Sequence, residues 1–356
     1  MTDRKRPVPQ SKPVSGEGEP DLDAKIGFLR QPASYPDSTR NVEVVETHMS
    51  WVFLTDRLVY KLKKPVRLPF LDFSTVALRK HFCEEEVRLN RRLAPQIYLG
   101  TIPITKKAGG VLSLAGDGPA VDWLVRMSRL PSDRMLDHAI RNGSVSDQDV
   151  ERLAIKLATF YRAAPPVGIT TAEYRRRFEG DISANLTALK AAEGLLPQEE
   201  VVRVHEAQLA VLRSTPSPLD ARAAEDRIIE AHGDLRPEHI FLGAEPQIID
   251  CLEFNLDFRC LDPVDELCFL AIECEMLGAP AIGTKVLEKY RSITGDRPPP
   301  RLLDFYKCHR ACLRAKLAFW HLQEANIREP ERWPRQTRAY FKLAGIYADR
   351  IMAAAR

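Results

Sequence analysis

The order of hydrophobic and polar residues predicts a β-rich first third of the chain. From Val42 to Val66, the segments VEVVET, WVFLT and LVYKLKKPV are rich in β-branched and aromatic residues and are separated by short polar turns, which is typical of strands. Between this group and a second group of strands, Ser74 is a suitable N-cap for an amphipathic helix that ends near Leu93. The second group comprises three strands, predicted at 97–105, 109–116 and 122–130.

After Pro131 a helical period dominates the sequence. The stretch from His232 to Asp250 interrupts it and is typical of a loop, a strand, a turn and a second strand. The pattern therefore predicts an α+β fold with two lobes, a small sheet-containing lobe over residues 23–127 and a larger helical lobe over 128–356. The helices of the second lobe are predicted at 132–142, 146–163, 171–193, 197–213, 263–277, 282–293, 301–324 and 334–354.

Composition narrows the class of protein. Residues 1–22 combine Pro, Ser, Gly and charge with almost no large apolar residue, so we predict disorder there and no secretory signal. No run of the 356 residues approaches the ~18 apolar residues of a membrane span. A formal charge of only +3 argues against a dedicated nucleic-acid binder. Seven cysteines without a CxxC pair are typical of a reduced, cytoplasmic protein.

The interrupting segment is predicted to bring three polar side chains together. A four-residue turn at 243–246 sets a hairpin register in which His239 faces Asp250 on the same side of the sheet. Asp234 lies five residues before His239, in a loop that Pro237 keeps out of a helix. The alternative is that the two aspartates only cap turns and that His239 is a polar strand end.

A carboxylate on an apolar helix face needs a positive partner. Glu86 lies on the apolar stripe of the helix predicted over 74–93, and an unpaired charge that faces a core is costly. Lys61 and Lys63 point to one side of the preceding strand, and we expect Lys61 to be the better shielded. We therefore predict an ion pair between Lys61 and Glu86, with Glu85 as the fallback partner. The alternative places Glu86 at the margin of the stripe, where it reaches water.

At these positions the sequence resembles a known family. HGDLRPEHIFL followed by IIDCLEFN is similar to the kinase-like aminoglycoside/choline phosphotransferases, whose loop reads HGD-x-x-x-x-N and whose second motif is I-D. ETHMSWVFLTDRLVYKLKKPVRLPFLDFST, FCEEEVRLNRRLAPQIYLGTIPIT and DPVDELCFL resemble an uncharacterised bacterial branch of that superfamily, whose members are often fused to a P-loop ATPase module. The resemblance spans about residues 25–325 and implies a bilobal protein-kinase-like fold.

The resemblance implies a role for each matching residue. Asp234 would orient or deprotonate the acceptor hydroxyl, and Asp250 would bind the Mg²⁺ that bridges the ATP phosphates. Lys61 would steady the α- and β-phosphates, with Glu86 as its partner on the helix. The backbone of about Leu124–Met127 would hydrogen-bond adenine.

Two positions depart from the family pattern. His239 stands here in place of the family's usual metal-binding Asn. Because Mg²⁺ prefers oxygen ligands, the imidazole indicates either a softer ion such as Mn²⁺ or a protein that binds nucleotide with little turnover. Glu253 is a candidate replacement ligand, although we expect it to be an exposed glutamate. The loop THMS (47–50) lacks glycines, so Ser50 and backbone N–H groups would have to cover the phosphates.

Two further features have structural as well as functional explanations. The residues Asp262 to Asp265 are typical of a helix start, and the resemblance adds that Asp265 braces the catalytic loop. One C-terminal helix is basic, which predicts a solvated face or, alternatively, a pocket for an anionic acceptor, through Lys307, Arg310, Arg314 and Lys316.

The sequence thus predicts an ATP-dependent phosphotransferase that moves the γ-phosphate to a hydroxyl of a small-molecule acceptor. Its cofactors would be ATP and Mg²⁺ or Mn²⁺, and a P-loop ATPase is a candidate partner. One alternative is a nucleotide-binding pseudokinase with a regulatory or partner-binding role, in which His239 has replaced catalysis. A third possibility is a metal-dependent hydrolase that uses His232, Asp234 and His239.

Overall fold

The structure of the protein is a computed structural model, described here for residues 21–323 and 329–354. The first twenty residues, which make up most of the segment predicted to be disordered, lie outside the described residues. The described chain divides into two compact units. The N-terminal unit comprises residues 21–135 and 247–257, and the C-terminal unit comprises 136–246, 258–323 and 329–354.

The N-terminal unit is built on one antiparallel sheet of six strands. Its elements are α1 (Leu22–Leu29), β1 (Glu43–Glu46), β2 (Ser50–Leu54), β3 (Leu58–Lys63), β4 (Arg67–Leu68), β5 (Leu71–Asp72), α2 (Val76–Asn90), β6 (Tyr98–Lys106), β7 (Leu112–Leu114) and β8 (Ala120–Ser128). The strands of the sheet follow the order β1-β2-β3-β8-β6-β7, and a separate pair, β4 and β5, precedes the helix α2.

Strand β3 shows the period-two pattern on which the sequence prediction rested. Tyr60 and Leu62 are fully buried in a hydrophobic cluster with Phe53 and Leu124. The intervening lysines point to the other side of the sheet, as the alternation of side chains along a strand requires. One face of β3 therefore enters the core of the sheet, and the other presents amino groups to α2.

Helix α2 begins later than predicted. Thr75, rather than Ser74, is its N-cap, and its hydroxyl oxygen accepts a hydrogen bond of 3.2 Å from the Leu78 N–H. The Ser74 hydroxyl instead donates to Asp72 Oδ1 at 2.5 Å, and the Ser74 N–H bonds to the same oxygen. Because Asp72 captures the side chain of Ser74, the next residue along the chain caps the helix.

The C-terminal unit is mainly helical. The remaining elements along the chain are α3 (Leu136–Arg141), α4 (Asp147–Ala163), α5 (Thr171–Lys190), α6 (Gln198–Arg213), α7 (Pro218–Ala224), β9 (Ile229–Glu230), β10 (Ile240–Phe241), β11 (Gln247–Ile248), β12 (Cys260–Leu261), α8 (Pro263–Met276), α9 (Pro280–Thr294), α10 (Pro300–His321) and α11 (Arg332–Ala353). Strands β9 and β12 pair with each other in antiparallel fashion, whereas β11 belongs to the N-terminal unit.

Capping explains where two of these helices begin. Ser146 and Asp149 form a reciprocal capping box at the start of α4, and Thr170 and Glu173 do the same for α5. The predicted helix start at Asp262 is also confirmed, since its carboxylate accepts a hydrogen bond of 2.9 Å from the Val264 N–H. Over the described ranges, none of the helices combines the length and the apolarity that crossing a membrane requires.

Candidate functional site

The predicted ion pair between strand β3 and helix α2 is present. Lys61 Nζ lies 2.9 Å from Glu86 Oε1, and the Glu86 side chain is completely buried. The alternative, in which Glu86 reaches water at the margin of the stripe, is therefore wrong. The fallback partner, Glu85, pairs on the helix surface with Arg88 at 2.8 Å.

Lys63 makes a second pair with the same glutamate, and this overturns two expectations. Its Nζ lies 2.6 Å from Glu86 Oε2, and it also bonds to Glu253 Oε1. Lys63 is completely buried whereas the Lys61 side chain is 15% exposed, so the expectation that Lys61 is the better shielded was wrong. Glu253, expected to be exposed, is only 8% exposed. Both were misjudged because residues far along the chain cover this end of β3.

Asp250 contacts Lys61 of β3, although the two residues lie 189 positions apart in the sequence. Lys61 Nζ donates to Asp250 Oδ1 at 2.7 Å, and the aspartate side chain remains 45% exposed. The backbone of Asp250 has φ +63°, a left-handed conformation that few residues other than glycine adopt. Its N–H donates to the hydroxyl of Tyr98 at 3.0 Å. Surrounding contacts thus hold a partly exposed carboxylate on a strained backbone, a combination that is concentrated at functional sites.

The residue that follows is attached to helix α2 through its backbone. The Cys251 N–H donates to Asn90 Oδ1 at 2.9 Å, and the Asn90 amide donates to the Glu86 carbonyl oxygen at 2.8 Å. Arg92 also reaches Cys251 Sγ at 3.4 Å. Residues 250, 251 and 253 are therefore each held by β3, α2 or β6.

Charge sets the protonation of this cluster. Burial alone would lower the pKa of Lys61, but Asp250 and Glu86 outweigh it and hold that pKa well above its ordinary value. Burial alone would raise the pKa of Glu86, but Lys61 and Lys63 bring it below its ordinary value. For Glu253, burial outweighs the attraction of Lys63 and raises the pKa. At neutral pH the two lysines are therefore cationic and Glu86 is an anion shared between them.

The His-Gly-Asp loop lies in the C-terminal unit and is held by one carboxylate. Glu266 accepts hydrogen bonds from the backbone N–H groups of His232, at 3.0 Å, and Gly233, at 2.6 Å. The Tyr161 hydroxyl donates to Glu266 at 2.8 Å. Gly233 has φ +88°, which a side chain at this position would strain. The loop that carries Asp234 thus depends on a buried carboxyl group that accepts hydrogen bonds from its backbone.

The residue that braces this loop is Glu266 and not the predicted Asp265. Asp265 instead forms a buried bidentate pair with Arg310, at 2.7 and 2.6 Å. Burial raises the pKa of Glu266, although the N–H groups of Gly233 and His232 and the hydroxyl of Tyr161 act in the opposite direction. Glu266 was missed, yet a signal existed: it is an acidic residue within the apolar run PVDELCFLAIEC, as Glu86 is within its stripe.

His239 is engaged at both nitrogens of its ring. Nδ1 lies 2.8 Å from the carbonyl oxygen of Asp234 and therefore donates, which leaves Nε2 to accept from Arg236 Nη2 at 3.2 Å. Arg236 also pairs with the carboxylates of Asp234, at 2.9 Å, and Glu238, at 2.6 Å. These contacts fit the tautomer in which the Nε2 lone pair faces an arginine.

The predicted hairpin is shorter than expected. His239 ends a 3₁₀ turn that starts at Pro237, and β10 begins only at Ile240. Strand β11 ends at Ile248, before the left-handed residue Asp250. The expectation that His239 and Asp250 extend the two strands was therefore wrong, because a proline-initiated turn and a positive φ end the strands. Their facing each other remains a prediction, since they belong to different units.

The two remaining candidate residues lie in the sheet. Ser50 begins β2 and is buried, and its N–H donates to Thr47 Oγ1 at 3.0 Å. Met127 pairs with Val59 of β3 on one side and with Tyr98 of β6 on the other. Because β8 pairs with β3 on one side and β6 on the other, its backbone groups up to Met127 form hydrogen bonds within the sheet. A contact to adenine would therefore have to come from residues that follow β8.

The basic helix α10 is neither a solvated face nor a set of uncompensated cations. Lys307 donates to Glu275 at 3.0 Å, Arg310 is paired with Asp265, and Arg314 lies 2.8 Å from Glu273. Lys316 is buried, and burial lowers its pKa. The charges along this helix therefore largely serve the packing of the C-terminal unit.

Across residues 21–323 and 329–354, no group of three or more His, Cys, Asp or Glu side chains is arranged to hold a metal ion. His232, Asp234 and His239 all belong to these ranges, so they do not form the three-ligand site that the hydrolase alternative needs. All seven cysteines are buried and free of disulfides.

Comparison with known proteins gives relatives in sequence and in fold. No family model matches the chain. Uncharacterized proteins of Mycobacterium bovis and of two Mycobacterium tuberculosis strains are 33% identical to it over 284 residues, 78% of this chain and 54% of theirs. The chain therefore spans about half the length of the curated relatives that it matches.

Solved structures of small-molecule kinases share the fold. A choline kinase from Cryptosporidium parvum Iowa II superposes with a TM-score of 0.55 at 9% identity, covering 94% of this chain and 97% of its own. A choline/ethanolamine kinase family protein from Mesorhizobium loti gives 0.50 at 13%, covering 92% and 98%. A thermostable mutant of an aminoglycoside phosphotransferase gives 0.51 at 10%, also covering 92% and 98%. The predicted kinase-like α+β fold is confirmed.

Proposed function

We propose that this protein is an ATP-dependent phosphotransferase that transfers the γ-phosphate to a hydroxyl group of a small molecule. The observation that carries the proposal is the contact of Lys61 with both Glu86 and Asp250 in a chain with a kinase-like fold. Phosphoryl transfer needs a fixed cation on the phosphates, a carboxylate for a metal ion and an oriented acceptor. The fold alone does not determine the reaction, so these groups bear the argument.

The N-terminal unit would bind the phosphates and the metal. Lys61, kept cationic by its two carboxylate partners, would contact the α- and β-phosphates. Asp250 fits a Mg²⁺ ligand because it offers carboxylate oxygen, the donor that Mg²⁺ prefers, on a side chain that is 45% exposed. A bound Mg²⁺ would neutralise charge on the phosphates. Lys61 would then exchange its contact with Asp250 for one with a phosphate oxygen.

The C-terminal unit would orient the acceptor. Asp234, on the loop held by Glu266, would accept or orient the proton of the attacking hydroxyl. Arg236 pairs with this carboxylate at 2.9 Å, so an acceptor hydroxyl would compete with the guanidinium for Asp234.

His239 is the least suited of the proposed metal ligands. Its Nε2 lone pair is directed at Arg236, so Arg236 would have to move before the ring could bind Mg²⁺ or Mn²⁺. This observation favours the second candidate function, a pseudokinase that binds nucleotide and acts through a regulatory contact. A His239→Asn variant distinguishes the phosphotransferase from the pseudokinase. A large gain in ATP consumption supports the pseudokinase, whereas loss of ATP consumption supports His239 as a working metal ligand.

The nucleotide base and the acceptor belong to the proposal as well. Ser50 and the 47–50 loop would cover the phosphates, and the backbone that follows β8 would bind adenine. Amino alcohols and aminoglycosides are the acceptor classes that the names of the structural neighbours suggest. A P-loop ATPase remains a proposed partner, and seven cysteines without a disulfide favour a reducing, cytoplasmic location.

The decisive experiment measures ATP binding and ATP consumption with Mg²⁺ and with Mn²⁺. Wild type is compared with Asp234→Ala and Asp250→Ala. We expect Asp250→Ala to lose metal-dependent binding and Asp234→Ala to keep binding while losing transfer to an acceptor. Acceptors are found by screening pooled metabolites for phosphorylated products with labelled ATP. A wild-type protein without any metal-dependent nucleotide binding contradicts the proposal.

A further inference from the structure

A second lysine and a second carboxylate accompany the pair proposed for nucleotide binding. Lys61 and Lys63 lie two positions apart on β3, and the two oxygens of Glu86 are divided between them at 2.9 and 2.6 Å. On the other side, Lys61 contacts Asp250 and Lys63 contacts Glu253. The five groups therefore form one continuous row of alternating charge.

The two ends of this row differ in exposure. Asp250 is 45% exposed and is available to a ligand in solution, whereas Glu253 is 8% exposed and bound to a lysine that has no exposure. The ring of Phe73 lies 4.9 Å from Lys63 Nζ, which adds a cation–π contact on the covered side. Glu253 is thus placed to fix the chain rather than to meet a metal.

Contacts at Asp250, Cys251 and Glu253 hold the backbone between these carboxylates. Asp250 bonds to Tyr98 through its N–H and keeps φ +63°, and Cys251 bonds to Asn90. The Lys63–Glu253 pair supplies the third point. A strained conformation persists only where its surroundings over-determine it. Loss of the third point would allow the segment to relax and the carboxylate of Asp250 to leave its place.

We propose that Lys63 and Glu253 are positioning residues, which hold the 250–253 segment so that Asp250 presents its carboxylate to a divalent cation. The inference rests on the proposed function, because it assigns Asp250 to the metal. It reassigns Glu253, which acts through Lys63 and not as a replacement metal ligand. Ligand-orienting partners of this kind typically change metal affinity by about 10- to 100-fold when they are removed.

The test is a Glu253→Gln variant, which keeps the size of the side chain and removes its charge. ATP binding is titrated by calorimetry at graded Mg²⁺, and the Mg²⁺ concentration at half-saturation is measured. We expect this concentration to rise by about tenfold or more while the affinity for ATP without metal changes by less than about twofold. Hydrogen exchange of the 250–254 amides in the protein without ligand should become faster, with exchange in β3 unchanged.

The matched control is Glu85→Gln, which removes a carboxylate from the surface of α2 next to Glu86. We expect its Mg²⁺ half-saturation and its exchange to equal those of wild type. Lys63→Met is the stronger change, but it removes the partner of two buried carboxylates and destabilises the fold, so Glu253→Gln is the deciding variant. A merely structural role would lower thermal stability and leave the Mg²⁺ half-saturation unchanged.

The outcomes separate this inference from the proposed function. If wild type shows metal-dependent ATP binding and Glu253→Gln has the same half-saturation, the positioning role is wrong and the phosphotransferase proposal stands. If Glu253→Gln abolishes metal binding while 250–254 exchange is unchanged, Glu253 is itself a ligand and the inference is again wrong. Wild type without metal-dependent binding overturns both.

Discussion

The two units hold their candidate functional groups in different ways. In the N-terminal unit, Lys61 is held by pairing of charged side chains, with Glu86 and Asp250 on either side. In the C-terminal unit, the loop of Asp234 is held through its backbone, by two N–H groups that donate to Glu266. Paired charged side chains can change partners when a charged ligand arrives, whereas a backbone held by hydrogen bonds to a buried carboxyl group keeps its shape. We infer that the first unit is adapted to exchange partners and the second to keep a geometry.

The largest expected effect comes from removing the cation of the first arrangement. Lys61→Met deletes the charge proposed to contact the phosphates, and loss of one such electrostatic contact typically lowers kcat by about 10²- to 10³-fold. The measurement is the rate of ATP turnover with an acceptor found in the metabolite screen. Lys80→Met on α2, whose lysine lies 3.7 Å from Glu84 on the surface, is the control and should keep wild-type turnover. Equal turnover in both variants would contradict the role of Lys61.

The next effect concerns stability in the second arrangement. Glu266→Ala leaves two buried N–H donors and the Tyr161 hydroxyl without their acceptor, and each unsatisfied group costs about 1–3 kcal/mol. We expect the free energy of unfolding to fall by about 3 kcal/mol or more, measured by urea denaturation. Glu151→Gln, which loses a surface pair with Lys289, should change it by less than about 0.5 kcal/mol. A small effect in Glu266→Ala would mean that other contacts hold the loop.

The pH dependence of stability should have opposite signs at the two glutamates. The pKa of Glu86 is lowered, so its stabilisation is present above the ordinary value of 4.5 and is lost as pH falls through the lowered value. The pKa of Glu266 is raised, so the folded form binds this proton more tightly than the unfolded form does, and stability is lost as pH rises from 4.5 through the raised value. The destabilisation caused by Glu86→Gln should grow with pH, and that of Glu266→Gln should shrink.

Urea unfolding of wild type and both variants from about pH 3 to pH 7 measures these slopes. Hydrogen exchange assigns each change to its unit. Slopes of the same sign would show that the two carboxylates are held alike, and the contrast between the units would then fail.

The smallest effect is expected on the surface of α2. Glu85→Gln removes the pair with Arg88, whose side chain is 54% exposed, and pairs of this kind contribute about 0.3–0.5 kcal/mol. Thermal unfolding should therefore shift very little. A loss comparable to that of Glu86→Gln would mean that Glu85 contributes to the buried cluster.

Local patterns were sufficient for much of the fold and for one contact of the site. The alternation in LVYKLKKPV placed both lysines on one face of β3, and the apolar stripe of α2 placed Glu86 toward them, so the Lys61–Glu86 pair could be predicted. Helix starts at Asp262 and in the SVSDQD and ITTAE segments also follow from residues within one turn. These features depend on residues near each other in sequence, where spacing determines geometry.

The contacts that pattern reasoning missed join distant parts of the chain. Burial of Lys63 and Glu253 depends on residues separated by 190 positions, and the Glu266 brace depends on residues 33 and 34 positions apart. The contact between Arg236 and His239 depends on the orientation of two side chains at the two ends of a 3₁₀ turn. No local periodicity encodes which segment covers a given side chain.

The amino-acid sequence by itself determined the residue types, their faces on strands and helices, and therefore the α+β class and the pairing of Lys61 with Glu86. Only the tertiary structure decided that Lys63 is the buried lysine, that Glu266 rather than Asp265 holds the loop, and that β8 uses its backbone within the sheet. The physical reason is that charge and burial are properties of the whole packed chain, whereas hydrogen-bond periodicity is a property of a few neighbouring residues.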